Sequence, residues 1–332
     1  MTGCSLTGDS SPSFRPYGGS VKNTVPSPRA TTSLGLLKRL PSIQVNHLET
    51  EQARAQARQR VLSWYLHSTD AAQRRISPFD RYQLDTPPPT DPVPLAIDGY
   101  EPALAWYRAE AANLVAAVEA AASVGEHGIA WRLAAVLRAI HMHHHSFDDW
   151  IATARIGARS AALLGDRAGE AEALESLGKA LFQSRALTEA GVCHRRALSI
   201  RRELGDRFGE AVSLNALGLL ALRLRHLDQA ATLFRDGEST FAELGESRWT
   251  ALLRANRAEA LCERGELPAA AALLREALTV LRKLGDRYGE GNALHLLAWV
   301  HCAGGRLDEA RAAIDEALQI ATTDDNQMRQ AH

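Results

Sequence analysis

Long apolar runs are missing from this sequence. The longest, around Leu214–Leu222, falls far short of the roughly 20 residues that a membrane helix needs, so no membrane partner is expected. Charge of one sign is missing too. Residues 1–85 carry 11 Lys and Arg against 6 Asp and Glu, a balance of +5; the remainder carries 27 against 33, a balance of −6. Neither part is basic enough for a nucleic-acid footprint, so direct nucleic-acid binding is not expected. Cysteine is scarce, four residues with no CxxC pair, which argues for a reducing, cytoplasmic compartment. No apolar segment precedes Cys4, so Met1–Cys4 does not read as a lipoprotein signal. Catalytic signatures are absent as well: there is no HExxH, no GxSxG, no GxxxxGK[ST] and no convincing strand. Neither enzyme activity nor a cofactor is expected.

What the sequence does have is a repeat. Leu204-Gly205-Asp206-Arg207-Phe208-Gly209-Glu210-Ala211 recurs as Leu164-Gly165-Asp166-Arg167-Ala168-Gly169-Glu170-Ala171 and as Leu284-Gly285-Asp286-Arg287-Tyr288-Gly289-Glu290-Gly291. A worn copy, Leu244-Gly245-Glu246-Ser247, fills the gap, so the period is 40 residues (205 − 165) without insertions from about 164 to 320. Between the signatures lie fixed columns: Leu187, Leu227, Leu267 and Leu307, then Ala190, Ala230, Ala270 and Ala310. Small residues fill two more, Gly178, Gly218, Ala258 and Ala298, and Ala197, Gly237, Ala277 and Ala317. Small side chains on an apolar 3.6-residue pattern let two helices approach closely. Each unit therefore reads as a helical hairpin, with one helix near 168–183, a turn near 184–187 and a second helix near 188–204. Gly165, Gly205 and Gly285 act as left-handed stops, and Asp166, Asp206 and Asp286 as the next N-caps.

The run Leu217-Gly218, Ala230, Phe234, Gly237, like Leu177-Gly178, Ala190, Ala197, resembles the tetratricopeptide repeat over about 125–320. The usual unit has 34 residues and a closing proline; here an extra turn and a half of helix ending in Leu-Gly-Asp takes its place. The resemblance implies an all-α, right-handed α–α superhelix, with four units at about 165–204, 205–244, 245–284 and 285–322, and a polar tail at 323–332. It implies protein or peptide partners without naming one.

Before the repeats, residues 1–45 are rich in Ser, Thr, Pro and Gly and are expected to be disordered. Residues 46–77 read as a helical segment, 78–98 with six prolines as an extended linker, and 99–164 as a helix plus a degenerate hairpin. Arg58-Gln-Arg-Val-Leu-Ser-Trp-Tyr-Leu66 with Asp70-Ala-Ala72 resembles the helix after the winged-helix domain of actinobacterial regulators of antibiotic production, the SARP and AfsR-like families. Ala105-Trp-Tyr-Arg-Ala-Glu-Ala-Ala-Asn-Leu-Val-Ala-Ala-Val-Glu119 is similar to their next signature. Those regulators join an NB-ARC ATPase to tetratricopeptide repeats. This chain has no P-loop and no DNA-binding helix-turn-helix before residue 50, so neither ATP hydrolysis nor promoter binding carries over.

Three surfaces are candidates for function. Counted from the Ala211 column, positions one, four, eight and eleven of each first helix are expected on the concave side. They are Glu172, Glu175, Lys179 and Phe182; Val212, Asn215, Leu219 and Leu222; Leu252, Ala255, Glu259 and Cys262; and Asn292, His295, Trp299 and Cys302. Beside them Arg254 and Arg257 stand in columns that elsewhere hold leucine, as an anionic anchor or as a weakened repeat partnered by Glu238 and Glu259. The second surface is the C-terminal edge, where Ala310, Ala313, Ile314, Ala317 and Leu318 are expected to be partly uncovered for want of a fifth unit and to support self-association. The third is His141-Met142-His143-His144-His145, whose His141 and His145 stand i, i+4. With no third ligand at zinc spacing, a solvated turn is the simpler expectation and no metal is assigned. Three functions remain: a non-catalytic scaffold in a regulatory system, a detached sensor region docking onto a separate NB-ARC ATPase, or a sensor of a peptide pheromone or small ligand.

Overall fold

The computed structural model describes residues 50–77, 82–144 and 146–330. The segment 1–45, part of the linker and His145 thus lie outside the described residues. Among the described residues there are twelve helices and no strand: α1 Glu51–Ile76, α2 Tyr100–Ser123, α3 His127–His144, α4 Phe147–Leu164, α5 Arg167–Gln183 and α6 Leu187–Leu204, then α7 Arg207–Arg223, α8 Leu227–Glu243, α9 Ser247–Glu263, α10 Leu267–Leu284, α11 Arg287–Ala303 and α12 Leu307–Gln330. From α3 onward they form five stacked hairpins. Each helix packs on the next, and the first helices α3, α5, α7, α9 and α11 also pack on one another. The elements that crowd closest line the inner radius of a superhelix, so the first helices form its concave side.

Local chemistry sets the boundaries. Gly165, Gly205 and Gly285 close the second helices at φ of 74°, 68° and 67°, a left-handed backbone that costs a residue with a Cβ about 1–2 kcal/mol. Immediately after, Asp166, Asp206 and Asp286 accept hydrogen bonds from the amides of Gly169, Gly209 and Gly289 at 2.8, 2.8 and 3.0 Å, which starts the next helix. The turn inside each hairpin uses the same left-handed bend. Arg185 and Arg225, at φ of 64° and 63°, occupy the column that Gly265 and Gly305 fill later. Close helix approach explains the small-residue columns. A Cβ added to Gly218 would lie 2.5 Å from the Phe234 ring, which is fully buried at that contact.

The N-terminal helices are part of this stack rather than a detached segment. Leu62, Tyr65, Leu66 and Ile76 of α1 share a core with Tyr107, Leu114 and Val118 of α2 and Leu133, Leu137 and Ile140 of α3. The linker runs extended yet fastened. Gln73 Nε2 donates to the Tyr82 carbonyl at 2.7 Å, the Leu95 amide to Ser68 Oγ at 3.1 Å, and Arg132 holds Asp85 at 2.9 Å. At the other end α12 continues to Gln330 through the stretch expected as a polar tail, since no glycine or proline interrupts it after Leu307.

The C-terminal edge is narrower than its sequence pattern suggests. Ala310 and Ala313, expected there, are buried at 3% and 6% exposure, Ala313 within the C-terminal core. Ala317 is half-buried, and Ile314 and Leu318 are exposed at 45% and 47%. These last two stand in the columns of Leu274 and Leu278, both fully covered where a further unit follows.

Candidate partner-binding groove

Most of the expected inner positions are half-buried, as side chains lining a shallow groove must be, but Glu175, Ala255 and Cys262 are buried in the packing and His295 and Cys302 are exposed. Lys179 lies 3.6 Å from Glu175. Phe182 carries the Arg223 guanidinium over its ring, 5.6 Å from the centroid. Asn215 accepts from Asn256 Nδ2 at 2.9 Å, a bridge between the first helices α7 and α9. Leu219 and Leu222 rest against the Phe234 cluster, and Trp299 against the C-terminal core. Glu259 and Asn292 are half-buried and His295 is exposed. Cys262 is buried, Cys302 exposed, and both are free thiols.

Arg254 and Arg257 point into the seam between two hairpins, not along the groove. Arg254 Nε reaches Glu238 Oε1 at 2.8 Å and Arg257 Nη1 reaches Glu238 Oε2 at 2.7 Å. Glu276 adds a contact to Arg254 at 3.4 Å. Glu238 is therefore their partner, and among the described residues Glu259 pairs with neither. Both arginines are engaged internally and offer no open anionic anchor.

A second polar seam was not anticipated as a unit. Glu175, without exposed surface, has His194 Nδ1 at 3.4 Å, Arg201 Nη1 at 3.3 Å and Lys179 on its other side. Arg201 also donates to Ser213 Oγ at 2.8 Å and to the Gly209 carbonyl at 3.1 Å. Burial by itself would raise the Glu175 pKa; the close approach of His194 and the charges of Lys179 and Arg201 outweigh it and hold the carboxyl far below the usual range. The sequence signal was there to read: His194 sits in the Phe234 and Leu274 column, and Arg201 in the Phe241 and Leu281 column. Next along, Arg138 reaches Glu172 at 2.7 Å.

His141 is core, 1% exposed, with Nδ1 3.3 Å from the Tyr107 hydroxyl. Among the described residues no three His, Cys, Asp or Glu gather as metal ligands. Burial, then the neighbouring His144, lowers the His141 pKa from 6.5 to about 4. Between these values the unfolded chain binds a proton that the folded one refuses. Stability should therefore be complete above about pH 6.5 and fall by about 3 kcal/mol toward pH 4. Urea titrations at stepped pH check this. His141→Leu is expected to flatten the slope without abolishing it, because burial lowers the pKa of His67 and His301 as well. An unchanged slope would acquit His141.

Comparison with known proteins places the fold. Residues 249–323 match the family model for the tetratricopeptide repeat. No curated protein sequence matches the chain. Aspartyl phosphate phosphatase F from Bacillus subtilis superposes with a TM-score of 0.55 at 10% identity, over 84% of this chain and 77% of that one. BtubC from P. vanneervenii superposes with a TM-score of 0.54 at 18% identity, over 64% of this chain and 91% of that one. At such identities the likeness is one of fold. The fold is thus a tetratricopeptide-like helical solenoid, built here on a 40-residue unit. No helix among the described residues is long and apolar enough to cross a membrane.

Proposed function

We propose that this protein is a non-catalytic cytoplasmic scaffold whose concave face binds a protein or peptide segment within a transcriptional or signalling system. The observation that carries this reading is the half-buried apolar lining of successive first helices: Phe182 on α5, Leu219 and Leu222 on α7, Leu252 on α9 and Trp299 on α11. Each has enough accessible surface to gain on contact, and each is held by a packed core behind it. Leu219→Glu with Leu222→Glu should abolish capture of partner proteins from a lysate, scored by mass spectrometry. Ile314→Glu with Leu318→Glu, at the C-terminal edge, should keep those partners and lower self-association in sedimentation. Identical partner sets from the groove variant and the parent would remove the groove from the account.

A second reading, docking onto a separate NB-ARC ATPase, is favoured by the regulator-like stretches 58–75 and 105–119, which here form the N-terminal cap of the stack. Nucleotide turnover by such an ATPase, measured with and without this chain, separates it from a free-standing scaffold.

A further inference from the structure

Carboxylates with little exposed surface in this chain come with their own cations. Glu170 has Arg196 at 2.6 Å, Glu238 has Arg254 and Arg257, Glu290 has Arg282 at 2.9 Å, and Glu175 has Lys179 and Arg201. On the inner face Glu172 is held by Arg138, and Glu263 by Arg225. Glu259 has no such ion pair. It is half-buried and forms no hydrogen bond or ion pair among the described residues. Burial raises its pKa, and the charge of Arg223 offsets that only in part. The Arg223 guanidinium lies over Phe182 instead of bonding the carboxylate.

Positions 179, 219, 259 and 299 are one repeat column on four consecutive first helices, so Glu259 stands between Leu219 and Trp299 in that column, with Lys179 at its far end. A half-buried carboxylate between Leu219 and Trp299 that makes no hydrogen bond or ion pair loses hydration, and the charge of Arg223 restores only part of it. An incoming cation would reverse that deficit. Packed helix axes lie about 8–10 Å apart, and an extended chain rises about 3.3 Å per residue, so successive column positions match every third residue of an extended peptide.

Resting on the groove reading above, we infer that the partner is an extended segment of the pattern apolar-x-x-Lys/Arg-x-x-apolar, its cation paired with Glu259 and its apolar side chains on Leu219/Leu222 and Trp299. The opposite choice, an acidic segment, would set a second carboxylate against an unpaired one.

The test uses fluorescein-labelled dodecapeptides containing Leu-Gly-Ser-Lys-Gly-Ser-Leu, and the same peptides with Gln or Glu for Lys, titrated against the full chain by anisotropy. The Lys peptide should bind at least about tenfold tighter than the Gln peptide, the size of a well-placed charged hydrogen bond. Glu259→Gln should bring that ratio to about one, and Glu259→Lys should shift preference to the Glu peptide. Circular dichroism confirms that the variants fold. Absent or equal binding of the Lys and Gln peptides, or a ratio that survives Glu259→Gln, overturns the inference. Equal binding that is lost in Leu219→Glu with Leu222→Glu leaves the groove standing and removes only the cation; binding untouched by that pair removes the groove as well.

Discussion

Arg201→Ala is expected to lower the unfolding free energy by about 3–5 kcal/mol, the usual cost of stripping one partner from a buried charge network. Arg201 is 5% exposed, and its guanidinium serves Glu175, Ser213 and the Gly209 carbonyl together, so alanine leaves a fully buried carboxylate with only Lys179 and His194 beside it and opens a seam between α6 and α7. The neighbouring Arg202 is the control. Its side chain is 56% exposed and pairs with Glu210 at 2.7 Å, and Arg202→Ala should cost under about 1 kcal/mol. The sign of the pH effect follows from Glu175. Its pKa is depressed in the folded protein, so it contributes stability above the ordinary carboxylate range and loses it as pH falls through the folded value. The variant should therefore lose most at neutral pH and approach the parent in acid. Urea denaturation of both variants at neutral and acid pH decides it. Equal losses for Arg201→Ala and Arg202→Ala would mean that the network does not hold this seam.

The second large effect lies at the next seam. Glu238→Leu should cost about 2–4 kcal/mol, because it leaves Arg254 and Arg257, only 23% and 21% exposed, without their shared carboxylate. Leucine is nevertheless the residue of that column in other units, as Leu198, Leu278 and Leu318. The two arginines likewise replace leucines, seen as Leu174, Leu214 and Leu294 and as Leu177, Leu217 and Leu297. Changing all three to leucine should restore an apolar seam and recover or exceed the parental stability, since well-packed apolar replacements of buried ion pairs are often neutral or better. A triple variant no more stable than Glu238→Leu would show that the three positions do not act as one unit.

The hairpins were legible because their signals are local. The helix expected near 168–183 is Arg167–Gln183, and its partner near 188–204 is Leu187–Leu204. A glycine at a left-handed stop and an aspartate reaching the third amide act within four residues, wherever the rest of the chain goes. The left-handed bends at Arg185 and Arg225 escaped this logic because their residue type does not advertise the conformation. The alanine edge was overdrawn for a related reason. Small residues in a period-40 column mark a contact, but not whether it survives without a following unit, as it does at Ala310 and Ala313.

The candidate groove was legible as a set of columns and not as an electrostatic surface. Position eight of each first helix could be named from the repeat. Which of the charges nearby were already spent could not. In the sequence Arg254 and Arg257 read as an anionic anchor or as a weakened repeat partnered by Glu238 and Glu259; the structure pairs both with Glu238 and neither with Glu259.

The sequence by itself determined the period, the helical hairpin, and its stops and caps, because each follows from backbone hydrogen bonds and side-chain periodicity over a few turns. Only the tertiary structure decided which charges meet. Glu175 and Arg201 stand 26 residues apart and Arg138 and Glu172 stand 34 apart, so both pairs form between helices. It also decided that α1 caps the stack and that Asp85 fastens the linker. Such pairings depend on the angle and offset at which two helices dock, to within the few ångströms over which a hydrogen bond survives.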